Sequence, residues 1–156
     1  MRRVLLPVLL LLLATACAAP HPPEVTFYAD GEAVDLPPFD DCDIDAENCR
    51  RDPAAQGSLR VRPGKPVQIS VPGEVADTAW GVNFRYRDAA GVEQEPGRSA
   101  VFTVSDPKHA YTLTLPNPDD QLLGVEVQQL SRRIQTSTTG AFDFVARRVW
   151  VLTVES

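Results

Sequence analysis

From Leu59 onward the chain alternates apolar and polar residues with a period of two, the mark of strands with one buried and one solvated face. Val67, Ile69 and Val71 alternate with Gln68 and Ser70 between the turn signals Pro63-Gly64 and Pro72-Gly73. Trp80, Val82, Phe84 and Tyr86 then share one face, Asn83, Arg85 and Arg87 the other, and Asp88-Ala89-Ala90-Gly91 reverses the chain. Ala100 to Val104 reads as a strand with Phe102 and Val104 inward, and Tyr111 to Leu115 as one with Tyr111, Leu113 and Leu115 inward. Phe142, Phe144, Trp150, Leu152 and Val154 all have the same parity.

One stretch carries two periods. Leu123, Val127, Leu130 and Ile134 fall at helical spacing, and Asp119 or Asp120 could cap such a helix. Gly124 and the Val125-Glu126-Val127 alternation favour a strand from about Leu123 to Leu130, which would supply a hairpin partner for the C-terminal strand. Ser131 to Ala141 is then a polar, mobile tip.

Before Leu59, Val25 to Ala29 is a strand candidate ended by Asp30-Gly31, and Pro37-Pro38 opens an irregular acidic stretch to about Gly57. Turn signals recurring at this spacing predict an all-β chain, an antiparallel immunoglobulin-like β-sandwich of about seven or eight strands over residues 25–156. Trp80 takes the place of the buried sandwich tryptophan, without the cysteine pair that packs on it in antibody domains.

The N-terminus changes the picture from a plain domain to an exported one. Met1-Arg2-Arg3, an apolar run from Val4 to Leu13, and Ala14-Thr15-Ala16-Cys17 have the layout of a secretory leader over residues 1–16. The ending resembles a bacterial lipobox, which implies that Cys17 becomes the N-terminus and carries a lipid such as palmitate. Ala14 departs from that pattern, where leucine is commonest. The other reading is an ordinary signal cut after Ala16 or Ala19. Residues 17–24, with Pro20, Pro22 and Pro23, form the anchor and a short extended spacer. The expected location is the extracytoplasmic face of the cell membrane, held by lipid.

Cysteine parity fits export. The chain has three cysteines, and lipidation of Cys17 leaves Cys42 and Cys49 as a pair in an oxidising compartment, where a disulfide is the default. Closing so small a loop is worth about 2.5 kcal/mol in chain entropy. The net charge is −6; loss of Arg2 and Arg3, with no acid before Glu24, takes it to −8. Such a surface offers no footprint for nucleic acid.

The lipobox leader, the Cys42 and Cys49 pair, the segment Val67-Gln68-Ile69-Ser70-Val71-Pro72-Gly73-Glu74-Val75-Ala76 and the following Trp80 resemble the actinobacterial lipoproteins grouped as domain of unknown function 2771. The resemblance covers nearly the whole chain. It implies secretion and anchoring and no particular activity.

Catalytic signatures are absent from the sequence: it has no Gly-x-Ser-x-Gly, P-loop or dinucleotide fingerprint, and His109, at a strand entrance, has nothing local to orient it and reads as solvent-facing or capping. No cofactor is expected. Asp41, Asp43, Asp45 and Glu47 alternate through the cysteine loop like the ligands of a calcium loop, although Ala46 stands where that turn needs glycine and Asp52 replaces the bidentate glutamate. A weak calcium site and a merely solvated acidic loop are both open. The function expected is a membrane-tethered, non-enzymatic module that binds an envelope protein or ligand; the alternative is an envelope hydrolase or transferase using a carboxylate pair.

Overall fold

The computed structural model describes residues 21–136, 140 and 142–155, without the side chain of Phe142. The leader and Cys17 therefore lie outside the described residues. Within them the chain forms two β-sheets with the apolar core between them.

The smaller sheet has the order β2-β1-β6-β9, from β1 (Val25–Ala29), β2 (Glu32–Leu36), β6 (Val67–Ser70) and β9 (Ala110–Leu113). Its inward rows follow from register: Phe27 lies opposite Ile69, which lies opposite Tyr111, while Val67 lies opposite Leu113. The β1–β2 turn is Asp30-Gly31 with φ of 51° and 91°, the left-handed pair that a two-residue hairpin loop requires.

The larger sheet runs β4-β3-β11-β10-β7-β8, with β3 (Asp40–Asp41), β4 (Arg50–Arg51), β7 (Trp80–Arg87), β8 (Gly97–Arg98), β10 (Gln121–Thr136) and β11 (Phe142–Glu155). β5 (Gly57–Arg60) also pairs with β11, in parallel. Its inward rows are Phe84–Val125–Leu152 and Val82–Val127–Trp150. Trp80 and Trp150 are fully buried, and each indole N–H has a carbonyl partner, Lys108 and Pro23 respectively. The Trp80 ring packs on Phe102 at 4.6 Å. A single helical turn, α1 (Gly73–Ala76), plugs one end with Val75 and Ala76.

The all-β sandwich is as the alternation predicts, with differences that have local causes. Eleven strands replace seven or eight because the cysteine loop contributes β3 and β4, and β8 adds a third two-residue strand. The sheets are not wholly antiparallel, since β5 reaches β11 in the same direction. Of the helically spaced residues only Val127 is buried, and residues 121–136 are strand, with register shifts at Leu122/Gly124 and between Gln129 and Ile134. They leave Leu122, Val125, Val127 and Gln129 inward and Ile134 outside. Of the expected mobile tip, Ser131–Thr136 belong to β10, and residues 137–139 and 141 lie outside the described residues. Phe144, expected inward by parity, is 55% exposed, because the pairing steps from Arg148 to Ala146 across a bulge at Arg147. Ala100 to Val104 is not a strand: Phe102 exchanges two hydrogen bonds with Trp80, but the turn from Thr103 to Asp106 ends the pairing, and Val104 is 68% exposed.

Candidate functional site

The outer face of the larger sheet carries a row Arg98–Asn83–Glu126–Val151 across β8, β7, β10 and β11. On one side of it the next outward row is Arg85–Gly124–Thr153, on the other Gly81–Gln128–Val149. A glycine interrupts each flanking row, and the face dips there. One depression, about 260 Å³, lies over Gly124; the other, about 400 Å³, lies over Gly81, and both are bordered by Asn83 and Arg98. Neither glycine has a left-handed φ. A methyl group at Gly81 would make only ordinary contacts, with Ser99 Oγ at 3.6 Å and the Ala100 carbonyl at 3.7 Å. The backbone leaves room for a methyl group at Gly81; its lack of one keeps the face open.

The larger depression has a second wall built outside the sheet proper. β7 stops pairing with β10 at Gln129, so from Leu130 onward β10 and β11 continue as a two-stranded extension, which brings Gln135, Asp143 and Phe144 alongside the face. This extension is braced from the cysteine loop: Arg132 N–H donates to the Ile44 carbonyl at 3.2 Å, and Arg133 lies 3.7 Å from Glu47. Gln128 donates to Glu126 at 3.2 Å, and Arg85 pairs with Glu93 at 3.3 Å. Arg98 and the amide of Asn83 have no hydrogen-bond partner among the described residues and present their groups to the groove.

The candidates read from sequence fall elsewhere. Cys42 and Cys49 are bonded to each other. The four carboxylates of their loop are drawn apart. Asp41 turns to Arg148, at 2.6 Å, and Arg50, at 3.5 Å. Asp43 Oδ1 accepts the main-chain N–H groups of Asp45 and Glu47, and its Oδ2 accepts the Asn48 amide at 2.7 Å. These bonds, that from Glu47 foremost, hold the Asp43 carboxyl below the usual aspartate range. Glu47 faces Arg133. Among the described residues no three histidine, cysteine or carboxylate side chains gather as a metal would need. Ala46 does adopt the left-handed turn, with φ of 57°. His109 is exposed, and its carbonyl accepts from Val71 N–H.

Sequence reading missed the groove because its side chains alternate with core residues and look like ordinary solvated positions. Two signals were present, an isolated glycine within each of two strand patterns, at Gly81 and Gly124.

Fold and face together define an all-β sandwich protein with one open, glycine-floored sheet face. The chain belongs to the family described as protein of unknown function (DUF2771), which matches residues 18–155. It is similar to the uncharacterized proteins Rv0875c of Mycobacterium tuberculosis and Mb0899c of Mycobacterium bovis, each 30% identical over 141 residues that cover 81% of this chain and 82% of the relative. No solved structure matches it.

Proposed function

We propose that the protein is a lipid-anchored module of the cell envelope that binds a ligand or partner on the outer face of its larger sheet and catalyses no reaction. The observation that carries this is the groove over Gly81 and Gly124: a rigid floor of paired strands, hydrogen-bonding side chains facing out, and a wall from the β10–β11 extension. The opposite face of the same sheet is filled by core, so the outer one is free for recognition. Anchoring is supported by the leader and by Cys17 at its end, and an oxidising location by the Cys42–Cys49 bond. The binding assignment is supported by the groove's polar lining, which consists of amides, two guanidiniums, two hydroxyls and two separated carboxylates, Glu126 and Asp143, with no histidine or cysteine among the lining residues.

Two measurements in the producing cell test the reading. A photo-reactive amino acid at Gln128 should crosslink to an envelope component, while one at Gln68, on the outer face of the smaller sheet, should not. Equal yields from both positions would remove the groove as the binding face. Cys17→Ala should move the protein from the membrane fraction to the soluble fraction; undiminished membrane retention would refute lipid anchoring at Cys17.

A further inference from the structure

Resting on the reading of this face as a binding platform, we infer that the groove over Gly81 takes an uncharged oligosaccharide. Charge is the first argument. The chain carries −6 overall, yet the larger depression is lined by one cation, Arg98, and one anion, Asp143. A charged ligand of either sign would meet a like charge there, and there is no cation cluster to hold a membrane surface.

Hydrogen-bond inventory is the second. Asn83, Gln128 and Gln135 each present an amide that both donates and accepts; Arg98 only donates and Asp143 only accepts. Hydroxyl groups, each donor and acceptor at once, satisfy such a set, whereas an apolar ligand would strip water from the amides without replacing its hydrogen bonds. A peptide adding as a strand needs unpaired main-chain groups; where β7 and β10 form the floor of this groove, up to Gln129, both have sheet neighbours on both sides, and the edge of β10 left unpaired by β7 begins only at Leu130, in the wall.

The apolar wall is the third. Phe144, more than half exposed, stands beside Leu130 and Val101 and can cover the C–H face of a sugar ring while the amides take its hydroxyls. The floor is also elongated. Gly124 lies opposite Arg85, four residues along β7 from Gly81, so the two depressions are roughly 13 Å apart along the strand at the usual rise. That length, with Asn83 and Arg98 shared between the two, suits several consecutive sugar units.

The test uses the full chain in a zwitterionic detergent, with calorimetry and with the amide resonances of Gly81 and Gly124 as local reporters. The probes are uncharged oligosaccharides of glucose, mannose or galactose, with a heparin hexasaccharide and trialanine as the charged and peptide arms. Saturable binding of an uncharged oligosaccharide is expected to shift both resonances. Phe144→Ala and, separately, Gly81→Val should each weaken it roughly tenfold, and Gln128→Ala roughly fivefold, at an unchanged thermal midpoint. Phe144 is exposed and a Cβ at Gly81 meets only ordinary contacts, so the two variants check each other against misfolding. No binding by any of the three sugars into the tens-of-millimolar range, or a shift of these amides by heparin or trialanine alone, overturns the saccharide assignment. In that event crosslinking confined to the Gln128 position would still uphold the platform, so the two readings fail separately.

Discussion

Arg148 and Asp41 lie opposite one another where β11 pairs with β3, and Arg148 Nε donates to Asp41 Oδ1 at 2.6 Å with both side chains about four-fifths buried. The same inner row continues to Gln129 and Trp80, since Gln129 is opposite Arg148 on one side and Trp80 on the other. Arg148 Nη1 reaches Gln129 Oε1 at 3.5 Å, and the fully buried Gln129 amide donates to the Glu74 carbonyl and to Thr78 Oγ1, both at 2.9 Å. A continuous polar chain thus joins the cysteine loop, through two long strands, to the helical turn that closes the sandwich.

Breaking this chain at Arg148 leaves Asp41 with only the more exposed Arg50 and leaves the Gln129 carbonyl oxygen without its donor. Arg148→Ala should therefore destabilise the protein by about 2–3 kcal/mol, less than for a fully buried pair. A double-mutant cycle with Asp41→Asn, followed by denaturant unfolding, should return a coupling of about 1–2 kcal/mol. Additive effects would show that the two side chains do not support each other.

Much of the fold was legible because each sheet is half-buried, so that Val67, Ile69, Trp80 and Val82 announce their face by alternation alone. Alternation fails where backbone geometry rather than side-chain type sets the face. The bulge at Arg147 turns Phe144 outward without any mark in residue type, and the helical stripe of Leu123, Val127, Leu130 and Ile134 lies on a strand that buries only Val127 of the four. β3 and β4 are invisible for another reason: two residues each, all charged, β3 is a strand only because β11 offers it an edge, and β4 only because it pairs with β3. The cysteine pairing followed from parity and compartment, but the destinations of Asp41 and Asp43 depended on partners 107 and 5 residues away, and only the first of these needed the fold.

Acid stability should carry the signature of Asp30. The guanidinium and the main-chain N–H of Arg62 donate to its carboxylate, and the side-chain bond foremost lowers its pKa from 3.8 to about 2. A folded-state pKa below the unfolded one means that the ionised form is the better bound, so the contribution is complete above pH 3.8 and is lost as pH falls from there through about 2. Asp30→Asn keeps a residue that accepts the left-handed turn and removes the titration. The stability difference between the parent and Asp30→Asn should narrow across that window, measured by thermal unfolding at a series of pH values. A difference independent of pH would detach Asp30 from acid unfolding.

Ala46 holds φ of 57° in the cysteine loop, a conformation that costs an L residue about 1–2 kcal/mol and glycine almost nothing. Glycine also loses more freedom on folding, so the net gain from Ala46→Gly should be about 0.5–1 kcal/mol. Denaturant midpoints of the disulfide-bonded protein would measure it. Destabilisation instead would mean that the methyl group makes contacts worth more than the strain.

Calcium should find no ready site in that loop. Four carboxylates within a few residues suggest a cation in sequence, but Asp43 already accepts from Asp45, Glu47 and Asn48, and Asp41 and Glu47 face arginines. A bound cation would have to replace these hydrogen bonds and ion pairs before gaining any ligand. Titration calorimetry at low ionic strength is expected to show no saturable calcium heat across the millimolar range typical of weak extracellular sites. Asp43→Ala should instead act on the loop itself, speeding amide hydrogen exchange at Glu47 while Cys42 and Cys49 stay bonded. Saturable calcium binding that vanishes in Asp43→Ala would show the opposite, that the loop's carboxylates exchange their present partners for a metal.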